Sequence, residues 1–287
     1  MLQIFGCPMH YGVGEKGLVD SLDYLNEQYK DLNIHLVPEV YEPDTKKSNL
    51  KSFNSVLATC EAIAKYSYEN ILQKNDVPLF IGGDHSAAMG SVSASAVKYN
   101  NTGLVWVDAH PDINTDKTSV TGNIHGIPVS ALLNNVSDDA RPLANILKDG
   151  QKIKPEHVAM IGLRDIDPPE AEILEELNIK YFTYEDVKAL GLDFCLTECI
   201  NHLSHLENVH VSFDIDGVNP VLLPGVSVPV PDGFTIEEVY TVLNRLIREL
   251  PVHSLDIVEF NKEYDQNEVT AEFTYQLIQH VKTLFES

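Results

Sequence analysis

Residues 102–128 read T-G-L-V-W-V-D-A-H-P-D-I-N-T-D-K-T-S-V-T-G-N-I-H-G-I-P, and Asp108, His110 and Asp112 follow directly on an apolar run at 104–107. That run is long enough for one buried strand. The three polar residues stand at alternate positions, and side chains two apart in an extended segment point the same way. Two carboxylates and an imidazole aimed together gain nothing for an apolar strand unless a cation neutralises them. Without a cation, the same residues are a polar loop with acidic caps, so the segment needs support from elsewhere in the chain.

Two further stretches supply it. Residues 77–83 (V-P-L-F-I-G-G) are strand-like and run straight into Asp84, His85 and Ser86; residues 209–213 (V-H-V-S-F) run into Asp214 and, two further on, Asp216. Three apolar strands thus end in His or Asp clusters, and sites in open α/β sheets gather at the carboxyl ends of strands. The candidate ligands are His85, Asp108, His110, Asp112, Asp214 and Asp216. Four carboxylates and two imidazoles are too many for one closed structural zinc site. They suit two hard or borderline divalent ions bridged by carboxylates, manganese or magnesium before a soft-ligand metal.

Outward from these segments, apolar runs alternate with helical periodicity. Strands are expected at 2–5, 34–37, 77–83, 104–107, 157–162, 180–182, 209–213 and 252–258. Helices are expected at 18–29, from Val56 to Ile71, at 87–97, from Val129, and at 168–177, 194–205 and 268–286; another starts after Thr235, with Glu238 completing a capping box. Residues 42–49 read as a polar turn, 138–150 as loop around a short helix, and the proline-rich stretch 217–234 as a long loop of the kind that often carries function. Such alternation implies right-handed crossovers and a mainly parallel sheet covered on both faces, a three-layer α/β/α sandwich. With no internal repeat or linker, residues 1–287 read as a single domain.

The motifs G-G-D-H-S (82–86), D-A-H-P-D (108–112) and S-F-D-I-D (212–216) resemble those of the ureohydrolases. The extensions I-N-T after Asp112, G-N-I-H-G (122–126), I-G-L-R-D-I-D-P (161–168) and D-I-V-E (256–259) resemble the arginase branch, and the matches keep their order from about Gly82 to Ala271. The resemblance implies an arginase-like fold and a dinuclear manganese hydrolase converting L-arginine and water to L-ornithine and urea. It implies one Mn2+ on His85, Asp108, Asp112 and Asp214, and the other on His110, Asp108, Asp214 and Asp216. His125 would shuttle protons, Glu259 would pair the substrate guanidinium, and Asp112 would serve the catalytic centre as a ligand. Asn114 and Thr121 would bind the α-carboxylate and Asp167 the α-amino group. Another ureohydrolase, an agmatinase or guanidino-acid hydrolase, is the nearest alternative; a metal-bound arginine sensor without catalysis is another.

Some positions depart from the family's pattern. Leu18 follows Gly17 where a proline is usual, Asn219 stands for the third aspartate of D-x-D-x-x-D-P, Val228 for the threonine of Gly-Thr-Pro, and Lys262 for a proline. The two ligands of the third motif survive, whereas Val228 removes a hydroxyl expected near the substrate.

Bulk properties set outer bounds. A formal net charge of −23 argues against nucleic-acid and anionic-membrane partners. No stretch approaches the roughly 18 apolar residues of a membrane span, and residues 1–10 have no basic region or sustained apolar run. Cys7, Cys60, Cys195 and Cys199 match no zinc spacing, and Cys195 and Cys199 read as packing residues on one helix face. A cytoplasmic protein is expected, with a small molecule as its partner. The resemblance adds a homo-oligomer, trimer or hexamer. The remaining histidines, among them His210 in a strand, read as surface or core residues.

Overall fold

The computed structural model describes residues 2–45, 49–70 and 76–286. Its centre is a sheet of eight strands: β1 Leu2–Gly6, β2 His35–Leu36, β3 Val77–Ile81, β4 Gly103–Val107, β5 Val158–Leu163, β6 Lys180–Thr183, β7 Val209–Asp214 and β8 Val252–Val258. Their spatial order is β2-β1-β3-β8-β7-β4-β5-β6. Each pairing is parallel, so the sheet is wholly rather than mainly parallel. Strands β1 to β3 fill one side and β4 to β6 the other; β7 and β8 then enter the gap between β3 and β4. The strand order reverses at that gap, which is where ligands bind in such sheets.

Ten helices among the described residues cover the sheet: α1 Gly17–Gln28, α2 Phe53–Asn70, α3 Ala88–Lys98, α4 Pro128–Leu132, α5 Arg141–Ala144, α6 Pro168–Glu176, α7 Tyr184–Leu190, α8 Leu192–Leu203, α9 Ile236–Glu249 and α10 Val269–Glu286. Alternate strand residues serve the two faces. Val105, Val107, Val211, Phe213, Leu255 and Ile257 pack with residues of α8, α9 and α10. Leu104, Trp106, Val158 and Met160 pack on the opposite face with Ala88 and Val92 of α3 and Leu174 of α6. Helix α2 adds Val56, Cys60 and Ile63 to that second face. The three-layer α/β/α architecture expected from the alternation is the one observed, with the sheet covered on both faces by helices and its strands largely apolar.

Some elements differ from expectation. The second strand is only two residues long, and the strand at β5 starts at Val158 because 155–157 form a 3-10 turn. Helix α7 was not anticipated. Its signal is local: Thr183 and Asp186 form a capping box, in which the Thr183 hydroxyl accepts from the Asp186 N–H and the Asp186 carboxylate accepts from the Thr183 N–H. Ile71 and residues 46–48 of the expected turn lie outside the described residues. No helix among the described residues is long and apolar enough to cross a membrane. All four cysteines are free and buried, as packing residues would be.

Candidate active site

The candidate ligands stand at the carboxyl ends of β3, β4 and β7, with Glu259 at the end of β8. These are the four strands at the centre of the sheet. The same small device turns the chain at three of the four ends. The Asp108 carboxylate accepts from the His110 N–H at 2.7 Å, Asp214 from the Asp216 N–H at 2.7 Å, and Asp84 from the Ser86 N–H at 3.0 Å. An aspartate that accepts from the amide two residues on makes an Asx-turn. The expectation of an extended segment through 108–112 is therefore corrected: β4 ends at Val107, and Asp112 has φ of 48°. The side chains still converge, because a turn and a left-handed residue fold them over the strand end. Glu259, with φ of 64°, is a second non-glycine residue in this strained region.

His85 Nδ1 lies 3.0 Å from Asp108 Oδ2, 3.2 Å from Asp112 Oδ2 and 2.9 Å from Asp214 Oδ2. His110 Nδ1 lies 3.1 Å from Asp216 Oδ2 and 3.5 Å from Asp108 Oδ1. His85 with Asp108 and Asp112, and His110 with Asp108 and Asp216, make two groups able to hold an ion, and they share Asp108. Although the distances are short, the angles are poor for hydrogen bonds: His85 Nδ1 and Asp108 Oδ2 are buried without a hydrogen-bond partner. Buried nitrogen and carboxylate donors facing one another without satisfying one another fit a hard or borderline divalent cation.

The electrostatics agree. Burial alone would depress His85, but the carboxylates of Asp108, Asp112 and Asp214 override it and hold its pKa well above the usual range. His110 is raised in the same way, against burial, by Asp216 and Asp108. Burial and then the neighbouring carboxylates push Asp214 well up. Protons thus bind tightly where like charges crowd, and a cation that displaces them removes that repulsion.

Beside the ligands is a cleft of about 210 Å³, lined among others by His110, Asp112, Asn114, Thr121, His125, Asp167, Val228 and Glu259. A larger recess of about 590 Å³ between Asp44, Phe53, Asp116 and Asp138 has no imidazole and none of the candidate ligands in its lining. The smaller cleft therefore holds the chemistry. On its floor the Glu259 Oε1 accepts from the His85 N–H at 2.9 Å and lies 3.1 Å from His125 Nδ1, while Oε2 is buried without a partner. Burial raises the Glu259 pKa. For His125 burial acts downward, but Glu259 outweighs it and raises the imidazole to about 9.

At the rim, Asn114 Nδ2 donates to Asp167 Oδ2 at 3.0 Å, and Thr121 Oγ1 accepts from the Asn123 N–H at 3.1 Å. Thr121 thus keeps its own hydroxyl hydrogen for another acceptor. All of the expected site residues except His85 and Asp108 line the cleft directly; those two lie beneath it, 1% and 0% exposed.

Sequence reasoning missed Glu170, which also lines the cleft. Its carboxylate accepts from the N–H groups of Asp167 and Ile113 at 3.0 and 3.1 Å, and burial pushes its pKa up to about 7. The signal was present as the capping box Asp167-x-x-Glu170.

Comparison with known proteins identifies the family. The family model described as "Arginase family" matches residues 3–283. The arginase of Bacillus subtilis (strain 168) is 32% identical over 97% of this chain and 96% of its own, and that of Bacillus caldovelox 33% identical over 96% of each. A crystal structure of arginase from Bacillus subtilis superposes with a TM-score of 0.87 at 31% identity, covering 98% of this chain and 97% of that one. The paired strand-end clusters, the cleft beside them and this full-length similarity agree: the chain belongs to the arginase family.

Proposed function

We propose that the chain hydrolyses L-arginine to L-ornithine and urea at this cleft, with two Mn2+ held by His85, Asp108, His110, Asp112, Asp214 and Asp216. The family and the full-length relatives make it a hydrolase acting on a guanidino C–N bond. The observation that carries the assignment to this cleft is Glu259 Oε2, a buried carboxylate oxygen with no partner. A guanidinium is the group whose planar array of N–H donors such an oxygen suits. Cations bound there would supply Lewis acidity and would lower the pKa of a water toward neutrality.

The chain's own residues do the rest. Glu259 orients the guanidinium, so that its carbon is presented to the nucleophile in one pose. His125 is within hydrogen-bond reach of Glu259; neutral it accepts a proton, and charged it donates one to the leaving amine. Asn114 and Thr121 would take the α-carboxylate and Asp167 the α-amino group; all three line the cleft. The buried free cysteines support a cytoplasmic enzyme. The family resemblance supports a homo-oligomer, trimer or hexamer.

The test is release of urea and ornithine with Mn2+ present, from arginine and from agmatine, which lacks the carboxylate. A site built to hydrogen-bond a missing group discriminates by about 10⁴-fold, so kcat/KM should favour arginine on that scale. Comparable values would move the assignment to another ureohydrolase. Arginine binding without turnover would make the chain a sensor.

A further inference from the structure

Beneath the metal centre is a polar layer that the reaction does not use. On β7 and β8 the residues facing α3 are His210, Ser212, Ser254 and Asp256, and α3 presents Ser91 and Ser95, one turn apart, to meet them. All six are at most 1% exposed. A parallel sheet under a helix is ordinarily apolar there, and buried polar groups are costly unless fully bonded. We infer that Asp256, acting through Ser212, is a positioning residue that sets the tautomer of His85 and so the strength of the ion site His85 belongs to. This rests on the dinuclear site proposed above.

The directions of the bonds carry the argument. Asp256 Oδ2 accepts from the Ser91 hydroxyl at 2.9 Å and from the Ser212 hydroxyl at 3.2 Å, and lies 2.9 Å from His210 Nε2. His210 Nδ1 lies 2.6 Å from Ser254 Oγ, which is 2.7 Å from Ser95 Oγ. A carboxylate only accepts, so it takes the single hydroxyl hydrogen of Ser212. Ser212 Oγ, 2.9 Å from His85 Nε2, must then accept, and Nε2 must carry the proton. That leaves the lone pair on Nδ1, the nitrogen facing Asp108, Asp112 and Asp214. The opposite tautomer would aim an N–H at the place of the cation. It would also leave two oxygens, Ser212 Oγ and Asp256 Oδ2, facing each other without a hydrogen between them. The His85 ring is further held by stacking on Trp106, with centroids 3.8 Å apart and planes 9° apart. Two of the sequence motifs thus serve both the cleft and the layer below: Asp214 and Asp216 line the cleft above Ser212 in the first, and Glu259 lines it above Asp256 in the second.

The experiment is Mn2+ titration of the folded, metal-stripped full chain, with free Mn2+ read by electron paramagnetic resonance. In Ser212→Ala one of the two ions should bind about 10–100-fold more weakly, the range typical of lost outer-shell partners, while the other keeps its affinity. Ser212→Thr should recover most of the loss, and Asp256→Asn should reproduce it. Ser95→Ala, at the far end of the layer, should lower thermal stability and leave both affinities unchanged. Wild-type affinity for both ions in Ser212→Ala overturns the inference. So does a Ser95→Ala variant that weakens Mn2+ equally, because the effect would then be one of packing. If the unsubstituted chain binds no Mn2+, the metal centre itself fails and takes this inference with it.

Discussion

Val228 lines the cleft together with Glu259, at a position where the family pattern has a threonine. Valine and threonine share a shape, so the fold is indifferent to the exchange and only a hydroxyl is at stake. Its neighbour Ser227 is not among the residues that line the cleft; its Oγ accepts from Asn261 Nδ2 at 3.0 Å, and Asn261 Nδ2 also donates to Glu15 Oε2 at 2.8 Å. A net hydrogen bond contributes roughly 0.5–1.5 kcal/mol, and about 1.4 kcal/mol is tenfold in rate. Val228→Thr should therefore raise kcat/KM for arginine several-fold with Mn2+ content unchanged, and Ser227→Ala should leave kcat/KM where it is. Steady-state kinetics beside metal analysis decides it; a gain for a different guanidino compound alone would contradict the choice of arginine. The other departures have structural explanations. Asn219 Oδ1 accepts from the Val221 N–H at 3.0 Å, a turn that an amide makes as well as a carboxylate. Lys262 uses the N–H that a proline lacks, donating to Ser21 Oγ at 2.6 Å, and Leu18 donates to the Glu15 carbonyl at 3.3 Å. Two usual prolines are thus replaced where the chain has found hydrogen bonds for the amides they would have removed.

Among the elements, the loop 217–234 shows what sequence can and cannot reveal. Its length and prolines mark it as functional, yet nothing local says what holds it. The answer is Arg164, from the end of β5. Its guanidinium donates to the carbonyls of Asp216 at 2.7 Å, Gly217 at 3.1 Å, Val230 at 3.2 Å, and Val218 and Pro231 at 3.3 Å, tying both ends of the loop to one side chain. The ends also meet directly, with the Asn219 N–H on the Phe234 carbonyl and the Phe234 N–H on the Gly217 carbonyl. Gly233 is required in the same neck: its φ is 116°, and a Cβ there would come 2.7 Å from the Arg164 guanidinium. Lysine has no planar fork to span these acceptors. Arg164→Lys should cost on the order of 2–4 kcal/mol through carbonyls left unpaired, and should weaken Mn2+ binding at the candidate group of His110 and Asp216. A thermal melt equal to that of the unsubstituted chain would show that the clamp is redundant. Strand existence and the clusters of candidate ligands were legible because periodicity and composition are local. The Arg164 clamp, the Asx-turns and the layer under His85 depend on which strands become neighbours, and no window of sequence contains that.

On the scale of the whole molecule, the site exists because the chain leaves a gap and later fills it. Residues Asp84 to Asp112 build its first half, and β7 and β8 enter between β3 and β4 to bring Asp214, Asp216 and Glu259 against them. That order was not readable from the strand pattern, which gives alternation but not sequence of neighbours. The consequence is that acidic groups from distant parts of a chain of net charge −23 are packed, buried, at one sheet end. A cation there joins β3, β4 and β7 across the middle of the sheet, so its removal should be felt by the fold and not by the reaction alone. A ligand that binds only the native state stabilises it by RT ln(1 + [L]/Kd), about 2.7 kcal/mol at one hundred times Kd. For a chain of this size each kcal/mol moves Tm by roughly 2–4 °C. Chelation should therefore lower Tm by about 5 °C or more and abolish urea release, and added Mn2+ should restore both. Asp108 belongs to both ion groups, so Asp108→Ala should lose not one increment but nearly the whole Mn2+ response in Tm. Calorimetry with and without chelator separates the outcomes. An Asp108→Ala chain that still gains its full increment from Mn2+ would mean that the two groups do not share a bridging carboxylate. A native chain whose Tm ignores chelation would mean that the sheet closes on these carboxylates without any cation.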